Sequence, residues 1–393
     1  MGTASDCLWP ELEIGCWPES QRTTKASQTD GRTEFSMTLD ELEAIIRKLP
    51  REPIGFYPTP FHKVKNISKK YGVEIYLKRE DLAGPAGNSG SKIRLAEFIV
   101  GEALRDGVTH ILTVGAYLSN SAGQVATAAL QSGLTPILFL YDTMAEGYPA
   151  TWRGNLLLDK LMGVEIHLFP RKPDESQEKI WADTLYPAVE KTKAELEAQG
   201  YKVLFAPAGA THPASFPAHL LTYKEIMDQS RELNFKPDYL YHTTGTGGVL
   251  PAFAAARLLT GDTCSIRSIA INSYRPDNFV NTEIIAERVR EIYRNVGETP
   301  PSDNEILAEL DIDQRFIGPD YAVPTPEGIE AIKELASLDG IFLGPVYTAK
   351  GFAGLLSHIR EGKVAAGSKV VFLHTGDTNN LFEDQRITGR LVD

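Results

Sequence analysis

The stretch Tyr239-Leu-Tyr-His-Thr-Thr-Gly-Thr-Gly-Gly248 places a glycine-rich turn directly after an apolar run, and a helix-like run, Val249–Leu259, follows it. Small residues let backbone N–H groups approach an anion closely, and a helix N-terminus adds favourable partial charge. The pattern therefore predicts a phosphate cradle at Thr243–Gly248, with a tight turn that binds nothing as the alternative. Two nucleotide-binding motifs are excluded, because Leu250 stands where the dinucleotide fingerprint needs its third glycine and no Lys-Ser or Lys-Thr pair closes the loop.

On both sides of this stretch, apolar strand patterns alternate with helical patterns. Such alternation is typical of parallel sheets covered by helices, so the predicted fold class is α/β. A first helix is predicted after Thr38, because Thr38-Leu-Asp-Glu41 has capping-box spacing. The other helices are predicted at Ile93–Leu104, Ser121–Gln131, Ala188–Ala198 and Pro326–Leu335. The strands are predicted at Val73–Leu77, His110–Gly115, Pro136–Tyr141, Val164–Phe169, Lys202–Pro207, Tyr239–Thr243, Ile266–Asn272 and Val370–His374.

Length and charge limit the possible functions. The 393 residues, 42% of them hydrophobic, predict two domains or one domain with a large insertion. A net charge of −12 and the lack of a dense Lys/Arg block argue against nucleic acid as a partner. No stretch reaches the roughly 18 apolar residues of a membrane helix, and the first residues lack the order of a secretory signal, so no membrane association is expected.

The cysteines and the N-terminal segment bear on location. Cys7, Cys16 and Cys264 are an odd number without a CxxC pair, which favours a reducing compartment, and no metal site is predicted. Residues 1–36 show neither a helical nor a strand period and are predicted to be a disordered tail. We therefore expect a cytoplasmic protein, with an organelle address in this tail as the alternative.

A lysine follows a flexible Gly/Ser loop in Asn88-Ser-Gly-Ser-Lys92-Ile-Arg94. Lys92 stands at the start of a predicted helix, and burial there would disfavour its charged form. A lowered pKa makes a lysine amine a nucleophile toward a carbonyl. Lys92 is therefore a candidate Schiff-base lysine, and an ordinary surface lysine is the alternative.

Three further loops collect small, hydroxyl or aromatic residues. Gly115-Ala-Tyr-Leu-Ser-Asn-Ser121 and His374-Thr-Gly-Asp377 each follow a predicted strand, and ligands bind at the carboxyl ends of strands in open α/β sheets. In the first loop, Ser119 either caps the next helix or helps to bind a carboxylate, and the two roles are compatible. Pro345-Val-Tyr-Thr-Ala-Lys-Gly351 offers a tyrosine for acid/base chemistry or stacking, with half-buried packing as the alternative.

The order of these motifs resembles the 1-aminocyclopropane-1-carboxylate deaminase and D-cysteine desulfhydrase family, which has the tryptophan-synthase-β-like fold of pyridoxal-phosphate enzymes. The match runs from about Tyr57 to Phe382, and five motifs in order are far more specific than any single one. The first is Tyr57-Pro-Thr-Pro60 with Tyr76-Leu-Lys-Arg-Glu-Asp81, and the second is the lysine loop, Asn88-Ser-Gly-Ser-Lys92. Leu118-Ser-Asn120 and the glycine loop, Thr244-Gly-Thr-Gly-Gly248, are the third and fourth. The fifth is Pro345-Val-Tyr-Thr348 with His374-Thr-Gly376.

The resemblance implies an architecture and an assembly. Three-layer parallel sheets flanked by helices would form a large pyridoxal-phosphate-binding domain from residues 37–94 and 206–393. Residues 95–205 would form a small α/β domain, with the cofactor in the cleft between the two. The fold also suggests a homodimer, by analogy.

The resemblance further implies roles for individual residues toward pyridoxal 5′-phosphate. Lys92 would carry the cofactor as a Schiff base, and its released amine would take a proton from the substrate. Asn120 would contact the phenolic oxygen of the cofactor. The phosphate would be held by Thr244, Gly245, Thr246, Gly247 and Gly248. Ser119 would receive the substrate carboxylate, and Tyr347 and Tyr321 would line the substrate side.

Several positions depart from the family pattern. The cyclopropane deaminases have Glu after the tyrosine of the late motif, where this chain has Thr348 as the desulfhydrase-like members do. A hydroxyl does not hold a pyridinium proton as a carboxylate does, so we expect Thr348 or Thr375 beside the ring nitrogen, with Asp377 as a further candidate. Four further positions differ from the usual residue of the family. Ser91 stands in place of Asn, Leu95 in place of Lys, Ser121 in place of His or Gln, and Asp377 in place of Gly.

The predicted function is α,β-elimination by a pyridoxal-phosphate-dependent lyase on a small amino acid such as D-cysteine, which gives a keto acid and ammonia. Alternatives on the same scaffold are β-replacement, dehydration of serine, and loss of sulfite from cysteate. A sulfonate substrate would require an added cationic side chain, and the sequence identifies none. A family member that binds amino acid or cofactor without turnover is a further alternative.

Overall fold

The computed structural model describes residues 37–85, 87–145, 147–272 and 281–392, and the predicted tail, residues 1–36, lies outside them. Strands and helices alternate through the described residues. The strands are β1 Phe61–Lys63, β2 Glu74–Arg79, β3 His110–Ala116, β4 Thr135–Tyr141, β5 Glu165–Phe169, β6 Val203–Ala206, β7 Tyr239–Thr244, β8 Ser265–Ala270, β9 Ile312–Asp313 and β10 Lys369–His374. The helices are α1 Leu39–Ile46, α2 Lys65–Tyr71, α3 Lys92–Arg105, α4 Asn120–Gln131, α5 Gly154–Leu161, α6 Gln177–Ile180, α7 Tyr186–Ala198, α8 Ala218–Glu232, α9 Leu250–Thr260, α10 Thr282–Asn295, α11 Asp303–Ala308, α12 Pro326–Asp339, α13 Thr348–Arg360 and α14 Gln385–Thr388.

The described strands form two sheets. The larger sheet has the order β1-β2-β10-β7-β8-β9, and every neighbouring pair is parallel except β1 with β2. Its register places Val371 of β10 between Tyr76 of β2 and Leu240 of β7. The smaller sheet has the order β5-β4-β3-β6 and is parallel throughout.

The central strand β10 explains why helices cover both faces of the larger sheet. Val371 and Leu373 pack into a hydrophobic cluster with α3, α8 and α9, while Val370 and Phe372 pack into a second cluster with α12 and α13. Successive residues of a strand point to opposite faces, so an apolar run without alternation requires burial on both sides. The α/β prediction with helices flanking parallel sheets is confirmed.

The eight predicted strands are confirmed within one or two residues at each end, and so is the capping box of the first helix. The hydroxyl of Thr38 accepts from the Glu41 N–H at 3.2 Å, and the Glu41 carboxylate accepts from the Thr38 N–H at 2.8 Å. Strands β1 and β9 were not predicted, because three and two residues are too short to show a period.

The division of the chain into two domains remains a proposal. The smaller sheet consists of the described strands between His110 and Ala206, which supports it. The first predicted boundary, between Arg94 and Leu95, falls inside α3. Because α3 packs against α4 of the smaller unit as well as α8 of the larger one, this helix belongs to the junction between the two units.

The two sheets direct several loops toward one another. The carboxyl ends of β3, β7 and β10 lead into turns, and helices α3, α4, α9 and α13 begin near them. Amide N–H groups that have no partner within a helix therefore face a shared space. In the described part of the chain, no helix is long and apolar enough to cross a membrane.

Candidate active site

A cavity of about 330 Å³ lies where these turns meet. It is lined by the lysine loop, the turn after β3, the glycine loop after β7, and the loop after β10. A concave site of this size with a few convergent polar groups is typical of small-molecule binding. Each of these four loops was predicted from its sequence motif as a candidate part of a functional site.

The structure brings together all but one of the site residues predicted from the sequence. The cavity is lined by Lys92, Ser119, Asn120, Thr244, Gly245, Thr246, Gly247, Gly248, Tyr321, Tyr347 and Thr375. Thr348 is fully buried beneath the wall, where its hydroxyl accepts from the Gly344 N–H at 2.7 Å and lies 3.3 Å from the Gly376 carbonyl. The structure therefore does not bring Thr348 to the cavity.

Lys92 is the first residue of α3, and its amine faces the glycine loop. Its Nζ lies 3.5 Å from the Thr246 hydroxyl, and a Cβ added to Gly248 would lie only 3.4 Å from it. Burial lowers the pKa of the Lys92 amine to about 8, and the positive charge of Arg288 acts in the same direction. The neutral, nucleophilic form is therefore far more populated than for an exposed lysine near neutral pH.

The glycine loop, Thr244–Gly248, has the features of an anion cradle. Gly247 has a φ of +71°, a left-handed conformation that disfavours other residues, and α9 begins directly after the loop. The Thr244 hydroxyl is buried and has no hydrogen-bond partner among the described residues. A buried polar atom without a partner is costly unless a ligand satisfies it, so the loop fits a phosphate and Lys92 fits the cofactor's aldehyde.

The turn after β3 gathers hydroxyls at the start of α4. The Ser119 hydroxyl accepts from the Ala122 N–H at 3.2 Å, so its role as the N-cap of α4 is confirmed. It also lies 3.1 Å from the Ser121 hydroxyl, which accepts from the Gly209 N–H at 3.2 Å. Two hydroxyls and a helix N-terminus on the cavity wall form a suitable site for a carboxylate.

Asp377 connects two of the predicted groups. Its Oδ1 accepts from the side-chain amides of Asn120, at 3.0 Å, and Asn380, while its Oδ2 accepts from the N–H groups of Val346 and Tyr347 at 3.0 and 2.9 Å. Burial raises the pKa of this carboxyl to about 7, although the four donors oppose that shift. Because four donors use the four lone-pair positions of a carboxylate, Asp377 orients Asn120 and Tyr347 and has no acceptor left for a ligand.

Two tyrosines form part of the cavity wall. The hydroxyls of Tyr321 and Tyr347 hydrogen-bond to each other, and their rings meet edge to face with centroids 5.8 Å apart. Burial raises the pKa of both phenols well above the usual value. Both tyrosines therefore stay protonated at neutral pH and share a hydrogen bond that either oxygen can donate.

One wall of the cavity was missed by the sequence analysis. It consists of Tyr141, Arg171, Ser176, Gln177, Glu178 and Trp181. The wall ends in a π-helical segment, Trp181–Leu185, a conformation that occurs often at functional sites but has no recognisable sequence signature. Arg171 donates to the carbonyls of Asp142, Thr143 and Glu175, so the structure places a cation at the cavity where the sequence had indicated none.

Comparisons with known proteins agree with this site. Residues 54–376 match the model of the family described as pyridoxal-phosphate dependent enzymes. A relative from Thermotoga maritima with the provisional name 1-aminocyclopropane-1-carboxylate deaminase is 33% identical over 336 residues, which cover 86% of this chain and 99% of the relative. A 1-aminocyclopropane-1-carboxylate deaminase from Variovorax paradoxus is 31% identical over 341 residues, 84% of this chain and 95% of the relative.

Solved structures give the same result. The crystal structure of a 1-aminocyclopropane-1-carboxylate deaminase homologue aligns with a TM-score of 0.74 and 29% identity over 87% of this chain and 96% of that one. The structure of an O-ureido-L-serine synthase, 17% identical with a TM-score of 0.55, shares the fold. This chain therefore belongs to the pyridoxal-phosphate dependent enzymes, with 1-aminocyclopropane-1-carboxylate deaminases among its relatives, and its cofactor is pyridoxal 5′-phosphate.

Proposed function

We propose that this enzyme catalyses α,β-elimination on a small β-substituted amino acid, with D-cysteine as the leading substrate. The observation that carries the proposal is the set of groups that the chain offers to a pyridine ring nitrogen. Position 348 is a threonine, the Asp377 carboxylate is fully used by its four donors, and Thr375 lines the cavity. A hydroxyl partner does not keep the ring protonated, and this supports β-elimination over ring opening.

When bound, pyridoxal phosphate withdraws electrons from the α-carbon of the amino acid and so makes its proton acidic. The base that takes this proton is the Lys92 amine. With its pKa lowered to about 8, the amine is neutral often enough to accept a proton near neutral pH and basic enough to hold it. The position of Lys92 at the start of a rigid helix keeps Nζ beside the glycine loop.

The turn after β3 orients the substrate. We assign the substrate carboxylate to the hydroxyls of Ser119 and Ser121 and to the N-terminus of α4, because these groups lie together on the cavity wall. Asn120, held by Asp377 and by the Asn155 side chain, is assigned to the phenolic oxygen of the cofactor. Fixed donors of this kind limit the reorganisation that a reaction would otherwise require.

The tyrosine pair supplies the leaving group with a proton. As the Cβ–S bond of cysteine breaks, the sulfur carries away the bonding electrons and takes a proton from the Tyr347 hydroxyl. Tyr321 stabilises the resulting phenolate oxygen through the hydrogen bond between the two hydroxyls, and the proton that Lys92 took from the α-carbon then restores the Tyr347 hydroxyl. The overall reaction converts cysteine and water to pyruvate, ammonia and hydrogen sulfide.

Ring opening of 1-aminocyclopropane-1-carboxylate is the second candidate, because the relatives from Thermotoga maritima and Variovorax paradoxus bear that name. Product analysis separates the two reactions: cysteine yields pyruvate, whereas the cyclopropane substrate yields 2-oxobutanoate. The enzyme should be assayed with D- and L-cysteine, β-chloro-D-alanine, serine, cysteate and 1-aminocyclopropane-1-carboxylate. Lys92→Ala is the control for an enzymatic origin of each product.

We expect pyruvate and sulfide from D-cysteine, and no product from the Lys92→Ala variant. Release of 2-oxobutanoate at a higher kcat/KM than that of pyruvate would contradict the proposal. A wild-type protein that binds the cofactor but releases neither keto acid would indicate a binding protein. We further propose a homodimer by analogy with the fold, and light scattering of the purified protein measures its mass. The cytoplasmic location expected from the cysteines stays a separate proposal, which the localisation of a tagged protein would test.

A further inference from the structure

Arg288 on α10 is a buried cation without a partner of opposite charge among the described residues. It is 8% exposed, and its Nη1 donates to the carbonyls of Thr246 and, at 3.1 Å, Gly247. By contrast, the buried Arg94 pairs with Glu80 at 2.6 Å and Glu225 at 2.7 Å. The guanidinium also lies over the ring of Phe216, 5.4 Å from its centroid, which offsets part of the cost of burial. A buried charge is most stable beside an opposite charge, and an anion bound near Arg288 would supply one.

The contacts of Arg288 bear directly on the shape of the glycine loop. By binding the carbonyls of Thr246 and Gly247, the guanidinium turns these oxygens toward α10. In a turn with a left-handed residue such as Gly247, the N–H groups converge to form a concave site for an anion. Arg288 therefore draws the carbonyls of the loop away from the space where an anion would bind.

The charge of Arg288 also extends to the cavity. It is close enough to Lys92 to act on the ionisation of that amine. From the side of α3, the loop meets the apolar Leu95, whose Cδ1 lies 3.2 Å from the position of a Cβ on Gly248. Besides Lys92, a positive charge reaches this loop from Arg288 on α10.

We infer that Arg288 is a positioning residue for the phosphate of the cofactor, which it attracts by its charge and by holding the glycine loop in an anion-binding shape. The inference depends on the cofactor and not on the substrate proposed above. The alternative role is purely structural: Arg288 would connect α10 to the glycine loop through its hydrogen bonds without contributing to phosphate binding. The two roles differ in whether the phosphate group itself is recognised.

The test compares two aldehydes that differ at the phosphate. Apoprotein of wild type, Arg288→Gln and Arg288→Lys is titrated with pyridoxal 5′-phosphate and with 5′-deoxypyridoxal, and absorbance gives each dissociation constant. Arg290→Gln is the matched control, because Arg290 lies on the same helix but is only half-buried and pairs with Glu287 and Asp303. Circular dichroism confirms the fold of each variant.

We expect Arg288→Gln to weaken binding of pyridoxal phosphate at least about tenfold, the loss of one charge-assisted interaction, and to change binding of 5′-deoxypyridoxal less than about twofold. Arg288→Lys, which keeps the charge, should lose less, and Arg290→Gln should bind both aldehydes as wild type does. Equal weakening of both aldehydes, or of neither, would overturn the inference. If Arg288→Gln does not fold, Arg288→Lys decides: a loss confined to the phosphorylated aldehyde supports the inference, and a loss common to both overturns it.

Discussion

At the scale of single residues, the proposed reaction of Lys92 with the cofactor aldehyde depends on the ionisation of its amine. Attack on an aldehyde requires the neutral amine, and burial with the nearby charge of Arg288 lowers the pKa of Lys92 to about 8. Below that pH the neutral fraction falls about tenfold per unit. We therefore expect the rate at which apoprotein takes up pyridoxal phosphate to rise with pH and to level off above about 8.

Stopped-flow absorbance over a series of pH values measures this rate. Nα-acetyl-lysine is the control, because its exposed amine has an unshifted pKa and its rate should continue to rise to about pH 10. A protein whose rate follows that of the free amine would contradict the environment assigned to Lys92.

Tyr347 gives a second prediction at this scale. Replacing Tyr347 with Phe removes the hydroxyl that donates to the leaving group but keeps the ring that packs on Tyr321. We expect kcat for elimination from D-cysteine to fall by about 10²- to 10⁴-fold, as is typical for loss of an acid catalyst. The absorption spectrum of the bound cofactor should not change. An unchanged kcat would assign Tyr347 to packing alone, which was the alternative drawn from the sequence.

At the scale of elements, the first turn of α4 contributes both to the stability of the helix and to the proposed binding of the substrate carboxylate. The Ser119 hydroxyl caps the helix and faces the cavity, so Ser119→Ala should lower the free energy of unfolding by about 0.5–2 kcal/mol and also raise KM for the substrate. Ser119→Thr, which keeps the hydroxyl, is the matched control. Chemical denaturation and steady-state kinetics measure the two effects. A loss of stability with unchanged KM would show that Ser119 caps the helix and does not bind the carboxylate.

The elements also show what the sequence could predict. Strand β10 and the glycine loop were predictable because an apolar run followed by small residues is a local signal. Lys92 was predictable because it follows a Gly/Ser loop at the start of a helical pattern. The residues around Arg171 and Trp181 carry no motif and no period, so their place on the cavity wall depends on how the smaller sheet packs. Arg288 lies 42 residues after Thr246 in the chain, and only the folded structure brings the two together.

Thr348 shows a limit of another kind. It follows Tyr347 directly in the sequence, and both were expected at the cofactor. Thr348 is the first residue of α13, however, and its hydroxyl turns back to the Gly344 N–H, away from the cavity. Adjacent residues at a helix start point in different directions, so the motif alone could not decide which of Thr348 and Thr375 lines the cavity.

At the scale of the whole molecule, the two sheets explain why one cavity collects so many functional groups. The carboxyl ends of β7 and β10 in the larger sheet and of β3 in the smaller sheet open onto the same space. The larger sheet contributes the loop proposed to hold the phosphate, and the smaller sheet contributes the turn assigned to the substrate carboxylate. Strand ends of this kind tolerate variation in their loops while the core stays fixed, which is how one fold serves several reactions.

The most direct test of whether Lys92 carries the cofactor is to locate the lysine to which the cofactor is bound. The holoenzyme is treated with borohydride, which makes the bond between aldehyde and amine irreversible, and its peptides are sequenced by mass spectrometry. We predict that the phosphopyridoxyl group is found on Lys92. Lys350 is the informative competitor, because burial also lowers its pKa to about 8, but its amine donates to the carbonyls of Ile317 and Asp320. A label on Lys350 or any other lysine, with Lys92 unmodified, would contradict the account.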